Sequence, residues 1–437
     1  MTVAVALFTQ DLRLRDNPVL RAALAGAEEV VPLFVLDDGV RAAGFAVPNR
    51  AAFLADCLRD LDEGLRARGG RLVVRGGDTV TETLRVLART GATAVHLAAG
   101  VSGFARRREE RLQAELGKRL HVHDAVLTAL APGAVTPAGK DHYAVFTPYF
   151  RAWRQAPLRR PLAAPRAVRV PAGVEGLPVP TVRPDSPGLP PGGESHGRRR
   201  WNGWQVDRYE QVHDDLAGDG TSRLSPYLHF GCLSAGELVQ RADGPGGEAF
   251  VRQLAWRDFH HQVLAARPDC ARADYRPRGD RWHHDPAEAR AWRSGHTGYP
   301  IVDAGMRQLA HEGWMHNRAR LLTASFLAKT LHQDWRIGAA HFLSLLVDGD
   351  VANNQLNWQW VAGTGTDTRP NRVLNPLAQA RRFDPDGAYV RRWVPELAGV
   401  PGAAVHRPWL LPYPVDYPAP IIELTADRFR LGRPGAS

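Results

Sequence analysis

Over its first 125 residues the chain alternates between short β-rich runs and helical patterns. VAVALF (3–8) precedes a segment that Asn17 can cap and Pro18 can start. EVVPLFVLD (29–37), RLVVRG (71–76), TAVHLA (93–98) and RLHVHDA (119–125) read as further strands. Helical patterns at 49–69, 79–90 and 104–117 separate them. Alternation of this length requires crossover connections, and so predicts a doubly wound parallel α/β (Rossmann-like) sheet. Neither GxGxxG nor GxxxxGK[ST] occurs there, so the segment is not an evident dinucleotide or ATP site.

The remainder reads differently. Residues 156–200 are rich in Pro, Gly, Ser and Arg and show no periodicity, which predicts a long linker. From about residue 203 helical patterns replace strand patterns, and ten of the twelve tryptophans lie between residues 201 and 393. The expected organisation is an α/β domain over 1–130, an interdomain linker over 131–202 and an all-α domain over 203–437. No apolar run is long enough for a membrane span. The apolar N-terminus lacks a basic flank and a cleavage site, so it reads as a strand, not a signal peptide. Cys57, Cys232 and Cys270 form no CxxC pair, and three thiolates cannot supply the four ligands of an iron–sulfur cluster. A reducing cytoplasm is the expected setting. A net charge of +10 favours a polyanionic partner such as nucleic acid, but 53 of the 56 basic residues are arginine, as coding bias alone would give.

Two stretches carry chemistry. In GDGTSRLSPYLHFGCLSAGEL (218–238), Ser225-Pro226 reads as an N-cap followed by a first-turn proline, and Ser234 with Glu237 as a capping box. Thr221, Ser222 and Arg223 stand before the first start. Hydroxyls, a guanidinium and free backbone N–H groups at a helix N-terminus suit a phosphate. They equally suit a plain capped helix–turn–helix. The second stretch, DGDVANNQLNWQWVAGTGTDTRPNR (348–372), mixes acids, amides and two tryptophans. If 350–360 is helical, Asp350, Asn354 and Trp358 share one face. An acceptor, an amide and an aromatic ring in a row suit a planar heterocycle. A core helix with polar capping is the alternative, and it leaves buried amides unexplained at about 1–3 kcal/mol each.

These two stretches, with WRSGHTGYPIVDAGMRQLAHEGWMHNRAR (292–320), resemble the photolyase/cryptochrome flavoprotein family, most closely its microbial cyclobutane-dimer photolyases. The resemblance runs from LFTQDLRLRDNPVL (7–20) to RRFDPDGAYVRRWVPEL (381–397). It implies FAD in the helical domain. Tyr209 and Thr221, Ser222, Arg223, Leu224 and Ser225 match its phosphate-holding positions. Arg320 and Asp348 match an ion pair beside the flavin ring, Asp350 an acceptor for its edge, and Asn354 the side chain facing N5. Arg257 and Gly349 are also assigned to the cofactor. Trp282, Trp335 and Trp358 match an electron-transfer chain. Gln253, Trp256, Asn317, Arg318 and Trp360 match the lesion pocket, and Arg369 and Arg372 are assigned to the DNA backbone.

The implied activity is light-driven repair of UV-damaged DNA by a monomer without a metal cluster, with photoexcited reduced FAD splitting cyclobutane pyrimidine dimers. Two alternatives are a photosensory cryptochrome without repair and a (6-4) photolyase. Several positions depart from the family pattern. Gln253 stands where a glutamate is usual, Leu321 replaces a methionine, Phe250 a tryptophan and His213 an arginine. The α/β domain resembles the family's antenna domain, with Arg50 placed in it. AAGVSGFARRR (98–108) does not choose between a deazaflavin, a folate and no second chromophore.

Overall fold

A computed structural model describes residues 1–218, 220–242, 244 and 246–424. The chain divides into two compact units that do not follow chain order. The first holds residues 1–184, 190–207 and 222–268, and the second 185–189, 208–221 and 269–437.

The first unit begins with β1 (Val3–Phe8), α1 (Pro18–Gly26), β2 (Glu29–Asp37), α2 (Asp38–Ala42), α3 (Pro48–Arg66), β3 (Val73–Gly77), α4 (Thr79–Thr90), β4 (Ala94–Ala98), α5 (Gly103–Leu116) and β5 (Leu120–His123). The five strands pair in parallel in the order β3-β2-β1-β4-β5. Every residue of β1 is buried, because a central parallel strand is covered on both faces, and this is why VAVALF shows no polar alternation. The start of α1 is capped as the sequence predicts. Asn17 Oδ1 accepts from Leu20 N at 2.9 Å with Pro18 in the first turn, and Asp78 and Ser102 cap α4 and α5.

The expected linker is partly helical. It contains α6 (Phe146–Gln155) and ends in α7 (Glu194–Gly203). The second helix is fixed by distant partners. Glu194 accepts from Leu14 N at 2.6 Å, Arg198 reaches Glu237 at 3.0 Å, and Trp201 packs on Phe250 with ring centroids 5.4 Å apart. None of these contacts is local, so no periodicity announced them. After the one-turn α8 (Tyr209–Val212) the chain adds α9 (Ser225–His229), α10 (Ala235–Arg241) and α11 (Gly247–Ala266) to the first unit. Leu224, not Ser225, is the cap of α9, a one-residue shift of the expected start. Ser234 Oγ accepts from Glu237 N at 3.2 Å, as expected of its cap, while the Glu237 carboxylate pairs with Arg198.

The loop after β1 organises this unit. Arg13 is fully buried and donates to the carbonyls of Asp16 (3.0 Å), Gly231 (2.9 Å) and Val126 (2.9 Å). Burial lowers its pKa, and the carboxylates of Asp11 and Asp16 oppose that shift. Buried Asp258 on α11 similarly accepts from Ala129 N, Leu130 N and Trp153 Nε1 at 3.0–3.1 Å. Cys57 and Cys232, distant in sequence, lie 3.4 Å apart, Sγ to Sγ.

The second unit is helical: α12 (Pro286–Ser294), α13 (Pro300–Glu312), α14 (Asn317–Ser325), α15 (Trp335–Leu345), α16 (Val351–Ala362), α17 (Pro376–Phe383) and α18 (Ala388–Trp393). Its core gathers Trp292, Trp335, Phe326, Phe342, Tyr389 and Trp358. No helix among the described residues is long and apolar enough to cross a membrane.

Arg13→Met should destabilise the protein by about 3 kcal/mol, because three buried carbonyls lose their donor at once. Denaturant unfolding followed by far-UV circular dichroism checks this, and a change below about 1 kcal/mol contradicts it.

Candidate functional site

Three helices of the second unit enclose a polar cleft. Asn317, Arg320, Leu321 and Ala324 recur at the three- and four-residue spacing of one face of α14. Asn353, Asn354, Asn357, Trp358 and Val361 do the same on α16, and Phe342, Leu346 and Asp348 close the far side. The space amounts to about 480 Å³, its open mouth included.

The polar groups around it are unevenly satisfied. Arg320 Nη2 donates to Asp348 Oδ2 at 2.8 Å and its Nε to Met315 O at 2.8 Å. Asp348 is 8% exposed, and its Oδ1 is buried without a hydrogen-bond partner. The indole Nε1 of Trp358 is likewise buried without a partner. Orphaned buried polar atoms are costly, and two on residues lining one cleft fit a ligand bearing both donors and acceptors. The FAD implied by the sequence meets that requirement.

The remaining polar residues of 348–372 divide between cleft and scaffold. Asp350 is the N-cap of α16, and its Oδ1 accepts from Asn353 N at 2.7 Å and Asn353 Nδ2 at 2.8 Å. Asn354 donates its amide hydrogens to Ala339 O (3.1 Å) and Gln355 Oε1 (2.9 Å), which leaves its carbonyl oxygen to face a ligand. Gln355 and Gln359 are structural. Gln355 Nε2 donates to Ala271 O at 2.8 Å. Fully buried Gln359 donates to Cys270 O at 2.8 Å and accepts from Tyr275 N at 2.7 Å. The amide-rich helix therefore serves the cleft with one side and clips residues 270–275 with another.

The three tryptophans of the expected relay lie in the second unit, Trp358 on α16, Trp335 at the start of α15 and Trp282 before α12. Trp358 is 2% exposed and stands edge-on to Phe342 (5.0 Å) and Trp292 (5.9 Å). Its ring lies against Gly338, where an added Cβ would come within 2.1 Å of Cη2. Trp335 begins α15, one turn before Gly338, fully buried, with Nε1 donating to Asp274 Oδ1 at 2.9 Å. Trp282 is half-buried against His332 at 5.3 Å, next to the bridge that pairs His283 with Gln333. Trp292 opens the stretch 292–320 but was assigned no role, and Gly338 sits in an ordinary helical pattern, so only the fold gives the two their place against Trp358.

Other expected residues fall elsewhere. Arg318 is engaged by Asp214 (Nη2 to Oδ1, 2.5 Å) and lies 4.4 Å over the Phe383 ring. Asn317 is exposed at the cleft, while Arg369 and Arg372 are exposed, the latter 5.6 Å over the Trp360 ring. Gly349 is buried in the turn before α16. Tyr209 is pushed up to about 12 by burial and by the Asp214 carboxylate. Thr221 belongs to the second unit, while Ser222, Arg223, Leu224 and Ser225 belong to the first. Arg223 holds a left-handed backbone, φ 49°, a conformation that costs a non-glycine residue energy and is enriched at ligand sites. Also in the first unit, Gln253 is exposed on α11 and Trp256 stacks on Phe146 at 3.7 Å and 5°. Arg257 donates to Leu127 O (2.6 Å) and Leu228 O (3.2 Å). Arg50 donates to Phe45 O at 3.0 and 2.8 Å and lies 4.2 Å over the Phe45 ring.

Gly338→Ala should cost about 1–3 kcal/mol and displace the Trp358 ring, since the Cβ has no space. A lowered melting temperature with an altered near-UV circular dichroism spectrum is the expected result. An unchanged near-UV spectrum contradicts it.

Comparison with known proteins agrees with this geometry. Residues 250–433 match the FAD binding domain of DNA photolyase, and residues 4–167 match the DNA photolyase domain. The chain is 65% identical to a deoxyribodipyrimidine photo-lyase of Streptomyces griseus, over 99% of both chains. It is 36% identical to that of Escherichia coli over 97% of this chain and 96% of the other, and 35% identical to a cryptochrome DASH of Natronomonas pharaonis over 98% and 99%. A crystal structure of a bacterial class III photolyase from Agrobacterium tumefaciens superposes with a TM-score of 0.92 at 30% identity, covering 99% of this chain and 96% of the other. An archaeal photolyase from Sulfolobus tokodaii with two FAD molecules superposes with a TM-score of 0.86 at 32% identity, covering 99% and 98%. With a five-stranded parallel sheet, a helical FAD-binding domain and these relatives, the chain belongs to the photolyase/cryptochrome family.

Proposed function

We propose that this chain is a light-driven DNA lyase that opens cyclobutane pyrimidine dimers in UV-damaged DNA. The observation that carries the proposal is the cleft itself, where the Arg320–Asp348 pair leaves one buried carboxylate oxygen unsatisfied beside Asn354 and Trp358. Bound there, reduced FAD under blue or near-UV light supplies an electron that opens the cyclobutane ring and is then returned. The chain's own residues hold and orient. Asp348, paired with Arg320, offers an acceptor, and Asp350 fixes the N-terminus of α16. Asn354, with both amide hydrogens committed, offers a carbonyl oxygen suited to a ring N–H. Tyr209 and residues 221–225, with Arg257 and Gly349, are assigned to the rest of the cofactor.

For the substrate, Trp360 and Trp256 are each assigned an exposed aromatic face for an extruded base. Such stacking contributes about 1–3 kcal/mol per base. Gln253, Asn317 and Arg318 are assigned to the lesion, and Arg369 and Arg372 to phosphates, so binding weakens with salt. Asp214 holds the Arg318 guanidinium in place before any DNA arrives. The amino-terminal unit is assigned a second, antenna chromophore, although Arg50 spends two donors on Phe45 O. We further propose that the protein works as a cytoplasmic monomer.

A second reading, (6-4) photoproduct repair, rests on Gln253. A neutral amide replaces the carboxylic acid that would stabilise a dimer anion. Purified, reduced protein should restore a cyclobutane-dimer oligonucleotide under blue light, and not in the dark. Restoration of a (6-4) oligonucleotide alone would favour the second reading, and restoration of neither would refute both. Asp348→Asn should weaken FAD retention at least about tenfold, read as the flavin-to-protein ratio after gel filtration. Full retention would remove Asp348 from the cofactor site.

A further inference from the structure

Residues 270–275 hold a carboxylate against the middle tryptophan of the expected relay, and nothing in the repair reaction accounts for it. Trp335 Nε1 donates to Asp274 Oδ1 at 2.9 Å, and the same oxygen accepts from Arg336 Nη2 at 2.8 Å. The Arg336 guanidinium also lies 4.7 Å over the Trp335 ring. Trp335 is fully buried, whereas Asp274 is 18% and Arg336 37% exposed at the side chain. Asp274 is held in place by α16: Gln359 bonds Cys270 O, Ala273 O (3.2 Å) and Tyr275 N, and so grips the backbone on both sides of it. Arg336 Nε adds a bond to Arg272 O at 2.8 Å.

We propose that Asp274 is a positioning residue that sets how readily Trp335 is oxidised, stabilising the indole cation and holding its proton while the electron vacancy passes. The inference rests on reading Trp282, Trp335 and Trp358 as an electron relay to the flavin. A buried indole that loses one electron becomes a cation, and an unpaired buried cation is costly. Its N–H also becomes far more acidic. An adjacent carboxylate answers both needs, because it supplies the opposite charge and accepts the proton through the existing hydrogen bond. Arg336 acts in the other direction. A guanidinium over the ring favours the neutral indole and repels its cation.

The step balances within the chain. Trp335 gives one electron to the vacancy on Trp358 and takes one from Trp282. Between those events the indole proton shifts from Nε1 towards Asp274 Oδ1, and it returns on re-reduction. A small thiol in solution re-reduces Trp282. No proton is gained or lost at Trp335.

The test is photoreduction of the FAD-loaded protein in thiol-containing buffer, with the Trp335 indole ¹H–¹⁵N resonance of the dark protein as a second readout. W335F and D274N should each photoreduce at least about tenfold more slowly than wild type, D274E within about twofold of it, and R336M as fast or faster. D274N should also move the Trp335 indole proton upfield, a change that needs no light. Wild-type photoreduction by D274N alongside a slow W335F, or an unmoved indole resonance in D274N, overturns the inference and leaves the relay intact. Wild-type photoreduction by W335F overturns the relay and the inference together. Should D274N fail to fold, a D274E as slow as W335F, or an R336M slower than wild type, overturns it.

Discussion

Asp348 is buried with Arg320 on one oxygen and no partner on the other. Removing such a carboxylate from water is expensive, and a single ion pair offsets only part of the cost. A protein that simply needed stability would place an apolar side chain there. The arrangement makes sense when a ligand completes it, and the neighbouring features follow from that requirement. α14 must present Arg320 on its cleft face. The turn before α16 must bring Asp348 back towards that helix. Asp350 must cap α16 so that the backbone N–H groups at its start have an acceptor.

The same helix illustrates why composition alone misleads about purpose. Its string of amides looks like a ligand-binding face, yet only part of it is. Gln355 and Gln359 turn away from the cleft and fasten the chain segment at 270–275. A buried glutamine with every polar atom satisfied adds rigidity. Neutral amides can do both tasks within one helix, because each offers a donor and an acceptor without a charge to desolvate.

Much of this was legible in the chain. The strands were readable because buried parallel strands are short, apolar and β-branched, and the caps at Asn17 and Ser234 followed local rules. The positions assigned to the flavin came from resemblance, with helical spacing supporting Asp350, Asn354 and Trp358. What stayed hidden depends on long-range contacts. The helix Glu194–Gly203 is fixed by Leu14 and Glu237, and its residues have no apolar periodicity to reveal it. The interleaving of the two units could not be read, because composition changes near residue 203 while the packing boundaries fall elsewhere. Asp274 beside Trp335 is sixty-one residues away in sequence, and a lone aspartate in a polar loop gives no signal.

Electron transfer makes demands on packing that binding does not. Rates depend steeply on the separation of the rings and on the charge around each, so the tryptophans must be held by walls that do not yield. Trp358 is pressed between Gly338, Phe342 and Trp292, with no room for a methyl group at residue 338. Trp335 is tied by its only polar atom to a carboxylate that is itself held by Arg336 and by the backbone grip of Gln359. Interiors this dense have low compressibility and few alternative rotamers. A single helix, α16, presents Asn353, Asn354 and Asn357 to the cleft, Trp358 to the packing at Gly338, and Gln359 to the segment that carries Asp274 beside Trp335. The surroundings of Trp358 and of Asp274 are thereby set by one rigid element, and a change in its register would disturb the cleft, the Trp358 packing and the Asp274–Trp335 hydrogen bond together.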